Sequence, residues 1–136
     1  MGSPRKNISS GTPWEPLVGY SRAVRVGNSV FVSGTTAIDL KGEVLHAGDA
    51  YRQTKQVIEI IKKSLEDAGA RIEHVVRTRM FVTDISQWKA YALAHREAFS
   101  SIRPANTLVE VSRLVDPRMM IEMEAEALVS APEQEI

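Results

Sequence analysis

The segment 102–128, IRPANTLVEVSRLVDPRMMIEMEAEAL, constrains the fold more than any other stretch of the chain. Near its end Ile121, Met123, Ala125 and Ala127 alternate with Glu122, Glu124 and Glu126. Side chains of a strand change face at every residue, so this is a strand with one apolar face and one carboxylate face. Residues 107–114 alternate as well. The two segments flank a turn at Asp116 and Pro117, and together they read as a closing strand pair.

The upstream patterns supply the other elements. Residues 23–26 and 29–36 flank Gly27 and Asn28, two turn residues between alternating runs, which predicts a tight hairpin. Residues 39–48 form a loop. Asp49 then stands where a helix cap belongs. Thr54, Val57, Ile58, Ile61, Leu65 and Ala68 recur at spacings of three and four, one stripe of a long amphipathic helix that Gly69 ends. Residues 75–83 alternate as a strand. Ser86 is expected to cap a second helix with Trp88, Ala92, His95 and Phe99 as its stripe, stopped before Pro104.

The order is therefore ββαβαββ, with room for a short extended piece before Tyr20. This is an α+β fold, one sheet with both helices on one face. The opposite face would mix Phe31, Phe81 and Val109 with Arg77, Arg79, Glu110 and the three glutamates. That is too charged for a monomer core and too apolar for a plain solvated surface. The expectation is a symmetric homo-oligomer whose charges pair across this face.

With 136 residues, 43% of them hydrophobic, the chain can bury one core. The division expected is a flexible lead-in over 1–13, one domain over 14–130 and a tail over 131–136. There is no cysteine, which excludes disulfides and thiolate zinc sites. Seventeen basic residues balance seventeen acidic ones without a basic run, which argues against a nucleic-acid partner. No apolar run approaches the roughly 18 residues of a membrane span, and residues 1–10 lack the apolar core of a secretory signal. A soluble cytoplasmic protein is expected. His46, His74 and His95 lack metal-ligand spacing, and His95, on the apolar stripe, reads as a satisfied core or interface residue. No G-x-S-x-G, Walker or dinucleotide pattern occurs.

From about Trp14 onward the pieces GYSRAV, VGNSVFVSG, a helix ending in DAGA, VVRTRMFVTD, REAF, RPANTLVEV and IEMEAEA follow in order. In that order and spacing the chain resembles the YjgF/RidA (Rid) family. The resemblance implies a ferredoxin-like domain, similar to the small chorismate mutase fold, assembled as a homotrimer with clefts between subunits. It also implies hydrolysis of reactive imines and enamines to keto acid and ammonia, with no cofactor and no metal.

The resemblance also nominates site residues. Glu122 matches the glutamate thought to orient the attacking water; its bland reading is one of three glutamates on a polar strand face. Tyr20 matches a tyrosine at the cleft rim, or is an interface aromatic. Ser33 and Gly34 match a strand-end pair whose amides would hold developing negative charge, or mark a bulge. Asn106 stands where deaminating members carry an arginine that forks onto the substrate carboxylate. An amide there carries no charge, and Asn106 is otherwise a turn residue. Leu108 occupies a position commonly small or polar, suggesting a more apolar cleft. Arg22, Arg103 and Arg113 are candidates to replace the missing guanidinium, against the ordinary reading of solvated arginines. Trp14 is either a ring closing over the cleft or a packing anchor. Three readings stay open: a hydrolytic deaminase, a metabolite-binding or regulatory trimer without turnover, and, last, a ribonuclease or translation inhibitor.

Overall fold

The structure, a computed structural model, describes residues 4–129. One mixed sheet holds β1 (Arg5–Ile8), β2 (Ala23–Val26), β3 (Ser29–Thr35), β4 (Val75–Val82), β5 (Ala105–Glu110) and β6 (Ile121–Leu128). With them are α1 (Trp14–Val18), α2 (Ala50–Asp67) and α3 (Trp88–Phe99). The strand order is β1-β2-β3-β6-β4-β5, with β4 and β5 parallel and the other pairs antiparallel.

Helix α2 forms where its stripe predicts. Thr54, Val57, Ile58, Ile61 and Leu65 are buried. Asp49 caps it, accepting from the Arg52 N–H at 2.9 Å. Past its end Gly69 takes φ +80°, and the Arg25 guanidinium donates to Ala68 O at 2.9 Å, occupying a terminal carbonyl. Under the helix, β6 keeps its alternation. Ile121, Met123, Ala125 and Ala127 are buried while the glutamates face away. Each large apolar side chain buried here contributes roughly 1.5–3 kcal/mol.

The closing segments do not pair with each other. β4 lies between β5 and β6, in register with both. β5 is also shorter than expected and starts earlier, at Ala105. The physical reason is the α3 crossover. A strand–helix–strand connection returns its second strand parallel to the first, so β5 takes the free edge of β4. β6 then fills the gap between β3 and β4, where both its ladders are satisfied.

Three smaller expectations also change. The lead-in over 1–13 contains an edge strand: Arg5 pairs with Val26 and Ile8 with Ala23, because buried Ile8 completes the core. Ser86 does not cap α3. Asp84 accepts from the Ser86 N–H at 3.0 Å, making a 3₁₀ turn over Ile85–Gln87 before the helix. Trp88 is 50% exposed, and Tyr91, Ala94 and Phe99 are the buried residues. The Tyr91 hydroxyl donates to Asp84 O at 3.1 Å, which lets the phenol go inside. The tail over 131–136 lies outside the described residues.

On the open face of the sheet, Arg79 Nη1 reaches Glu126 at 2.8 Å and Glu124 at 3.2 Å. These charges pair within one chain. Phe31, 49% exposed, Val109 and Leu128 are also uncovered. No described helix is long and apolar enough to cross a membrane.

Candidate functional site

At one end of the open face, β3 bulges over β6. Val32 pairs with Ala125 and Thr35 with Met123, so Ser33 and Gly34 together oppose Glu124. The Glu122 carboxylate fills the space beside this bulge. A Cβ built on Gly34 falls on Glu122 Oε2, so glycine is what allows the carboxylate to approach the strand.

A cleft of ≈ 410 Å³ opens at this point, lined by Trp14, Tyr20, Arg22, Ser33, Gly34 and Glu122 among others. The short helix α1 supplies Trp14, and the chain entering β2 supplies Tyr20 and Arg22. Six residues singled out from the sequence thus meet in one place. Trp14 is among the residues that line the cleft. Arg22 also lines a second cleft, of ≈ 470 Å³, between the β1 end and α2.

Electrostatics single out Glu122. Burial pushes its carboxyl above the ordinary value; the Arg22 charge opposes the shift and Glu124 adds to it. Arg22 is itself 3% exposed. Its Nη2 donates to Gly34 O at 2.6 Å, and its Cζ lies 5.4 Å from the Tyr20 ring centroid. Nε is buried without a hydrogen-bond partner among the described residues.

Ser33 is committed to the sheet. Its N–H donates to Arg22 O at 3.0 Å and its hydroxyl to Ser21 O at 2.7 Å. Its amide is therefore not free to hold an oxyanion, and the bulge and the site coincide.

Asn106 and Leu108 sit elsewhere. They pair in register with Thr78 and Met80, whose side chains are buried on the helix side of the sheet. Asn106 Nδ2 donates to Thr78 Oγ1 at 2.9 Å, and Thr78 Oγ1 lies 2.8 Å from His95 Nε2. The His95 ring packs 4.5 Å from that of Phe99, and burial lowers its pKa. Leu108 packs against the core. Within one chain neither residue joins Glu122, and neither Arg103 nor Arg113 lines the cleft.

Sequence reasoning missed Gln53. Fully buried, it accepts from the Met120 N–H at 2.8 Å and donates to Arg118 O at 2.9 Å and Leu45 O at 3.1 Å. It thereby pins the segment carrying Val115 and Met119, two further cleft residues. A glutamine just inside an amphipathic stripe is the one available signal. Among the described residues no cluster of three His, Cys, Asp or Glu is placed to hold a metal.

The sequence matches the family model described as Endoribonuclease L-PSP over residues 12–129. The chain belongs to this family, the YjgF/Rid family. Among its YjgF/Rid relatives is the 3-aminoacrylate deaminase RutC of Acinetobacter baylyi. It is 37% identical over 122 residues, covering 90% of this chain and 95% of the relative. A RutC family protein of Pyrococcus abyssi is 41% identical over 111 residues, covering 82% and 87%. The crystal structure of Rv2704 from Mycobacterium tuberculosis, described as a YjgF/YER057c/UK114 family member, superposes with TM-score 0.85. It is 43% identical and covers 93% of this chain and all of that one.

Proposed function

We propose that this chain is a hydrolytic deaminase of a small enamine or imine, working without a cofactor as a homotrimer. The observation that carries the reading is Glu122: a buried carboxyl with a raised pKa, seated against Gly34 in a cleft also lined by Arg22 and Tyr20. A similarity to the Acinetobacter baylyi 3-aminoacrylate deaminase adds support.

The chemistry balances with water alone. A proton from solvent, added at carbon, turns the enamine into its iminium ion. Water adds to the C=N carbon while the Glu122 carboxylate takes its proton. Return of that proton to nitrogen lets the C–N bond break; ammonia leaves, the new hydroxyl gives its proton back to solvent, and a carbonyl compound remains. Tyr20 orients the substrate at the rim.

The uncovered open face, where Phe31, Val109 and Leu128 flank the Arg79 pairs, supports self-association. Assembly would also bring the edge strand carrying Asn106 and Leu108 to a neighbour's cleft. Asn106 is neutral and its amide already donates to Thr78, so a 2-imino acid finds no carboxylate clamp there. That same observation favours the second reading, a trimer that binds a metabolite without turning it over.

The test is to generate 3-aminoacrylate or 2-aminoacrylate in situ and follow its decay with the protein added. Accelerated decay with ammonia release supports the first reading. Unchanged decay, with a ligand-dependent rise in melting temperature, supports the second.

A further inference from the structure

Three arginines of this molecule hold a charged or capping partner. Arg79 is paired with Glu124 and Glu126, Arg118 with Asp116, and Arg25 caps α2. Arg22 is more deeply buried than any of them, yet among the described residues it has no carboxylate within ion-pair distance. Its one recorded side-chain bond is from Nη2 to the neutral Gly34 carbonyl, and its Nε is an orphan.

This arrangement is costly for arginine in particular. A buried lysine or histidine can shed its proton, whereas a guanidinium stays charged at any relevant pH. Buried charges are ordinarily paired, because the lost hydration must be replaced by a counter-charge. The Arg22 charge acts on the Glu122 carboxyl across the cleft, yet among the described residues no ion pair forms between them. The charge instead lies beside the cleft, anchored to the residue over which the Glu122 carboxylate sits and set against the Tyr20 ring.

We propose that Arg22 binds the carboxylate of the substrate, so that this cleft selects anionic enamines or imines of a few carbons. The missing counter-charge is then part of the ligand. The position also explains how a chain with Asn106 in the P-A-N segment can hold an acid: the clamp comes from the bend just before β2, within the Glu122 cleft. Arg103 and Arg113, the other two candidates, lie outside that cleft. This inference rests on the hydrolytic reading above and adds the residue that recognises the substrate's charge.

Equilibrium binding separates the two ideas, because it needs no turnover. The probes are pyruvate and pyruvamide, equal in size and differing in charge, titrated calorimetrically against the intact wild-type protein, Arg22→Gln and Arg22→Lys. Wild type is expected to prefer pyruvate by about tenfold or more, the margin of a charge-assisted bond over a neutral one. Arg22→Gln should bring the ratio to about one, and Arg22→Lys should keep part of it. A purely structural role, holding Gly34 O, would lower the melting temperature of Arg22→Gln and leave the ratio unchanged. Equal or absent binding of both probes by wild type overturns the inference without any variant. Loss of turnover in Glu122→Gln with an unchanged ratio in Arg22→Gln retains the hydrolase and removes the clamp. The converse pattern retains the clamp and removes the hydrolase.

Discussion

The Glu122 carboxylate occupies the space that a side chain on Gly34 would fill. The two residues belong to adjacent strands, β3 and β6, and the bulge at Ser33 and Gly34 brings them together. Gly34 does not have a positive φ, so alanine is permitted by the backbone and its cost isolates the collision. Gly34→Ala should destabilise the protein by about 1–3 kcal/mol, the usual penalty of overpacking. The same change in a Glu122→Ala background should cost far less. Melting temperatures of the two single variants and the double variant close the cycle.

Glu122→Gln keeps the shape and removes the proton acceptor. Deamination should fall about 10²-fold or more. Stability should not fall with it. A carboxyl whose folded pKa is raised binds its proton more tightly in the folded state, so ionisation works against folding as pH rises through that range. Thermal denaturation near pH 7 should show Glu122→Gln at least as stable as wild type.

The same sign governs catalysis. The carboxylate, not the acid, accepts a proton from water. kcat/KM should therefore rise with pH, with an apparent pKa displaced above the ordinary glutamate range because burial raises it. A pH–rate profile on the wild-type protein reads this directly.

His95 makes a separate pH prediction. Burial lowers its folded pKa below the ordinary 6.5, so the unfolded chain takes up a proton first as pH falls. The stability His95 contributes is complete above that ordinary value and declines below it, until the folded pKa is passed. Wild type should lose melting temperature between about pH 7.5 and pH 5.5. His95→Phe should lack that part of the slope. Thr78→Val should cost about 1–3 kcal/mol, since it leaves both His95 and Asn106 without their shared hydroxyl.

The parts of this molecule legible in the sequence are those governed by local periodicity. α2 and β6 follow their stripes because burial of one face decides each of them. The β5–β6 adjacency misled because strand pairing is non-local: β4, far upstream, competes for both partners and wins both. Trp88 and Tyr91 exchange places for a similar reason. The Tyr91 hydroxyl has a carbonyl to meet inside, at Asp84, and the sequence does not display that acceptor. At the site, Glu122, Gly34, Ser33 and Tyr20 were nameable through motif resemblance. Arg22 was only one of three candidates, since its isolation depends on which carboxylates fail to reach it. Asn106 pointed to a position, and its engagement with Thr78 depends on a register no single sequence reveals.

The central claim is that the Glu122 cleft hydrolyses a small enamine. The most direct measurement is the decay of 3-aminoacrylate generated in situ, with released ammonia counted, in parallel for wild type and Glu122→Gln at equal concentration. Wild type is expected to accelerate decay and ammonia release together, and Glu122→Gln to follow the uncatalysed curve while remaining folded. Decay unchanged by wild type, or equal acceleration by both proteins, would contradict it.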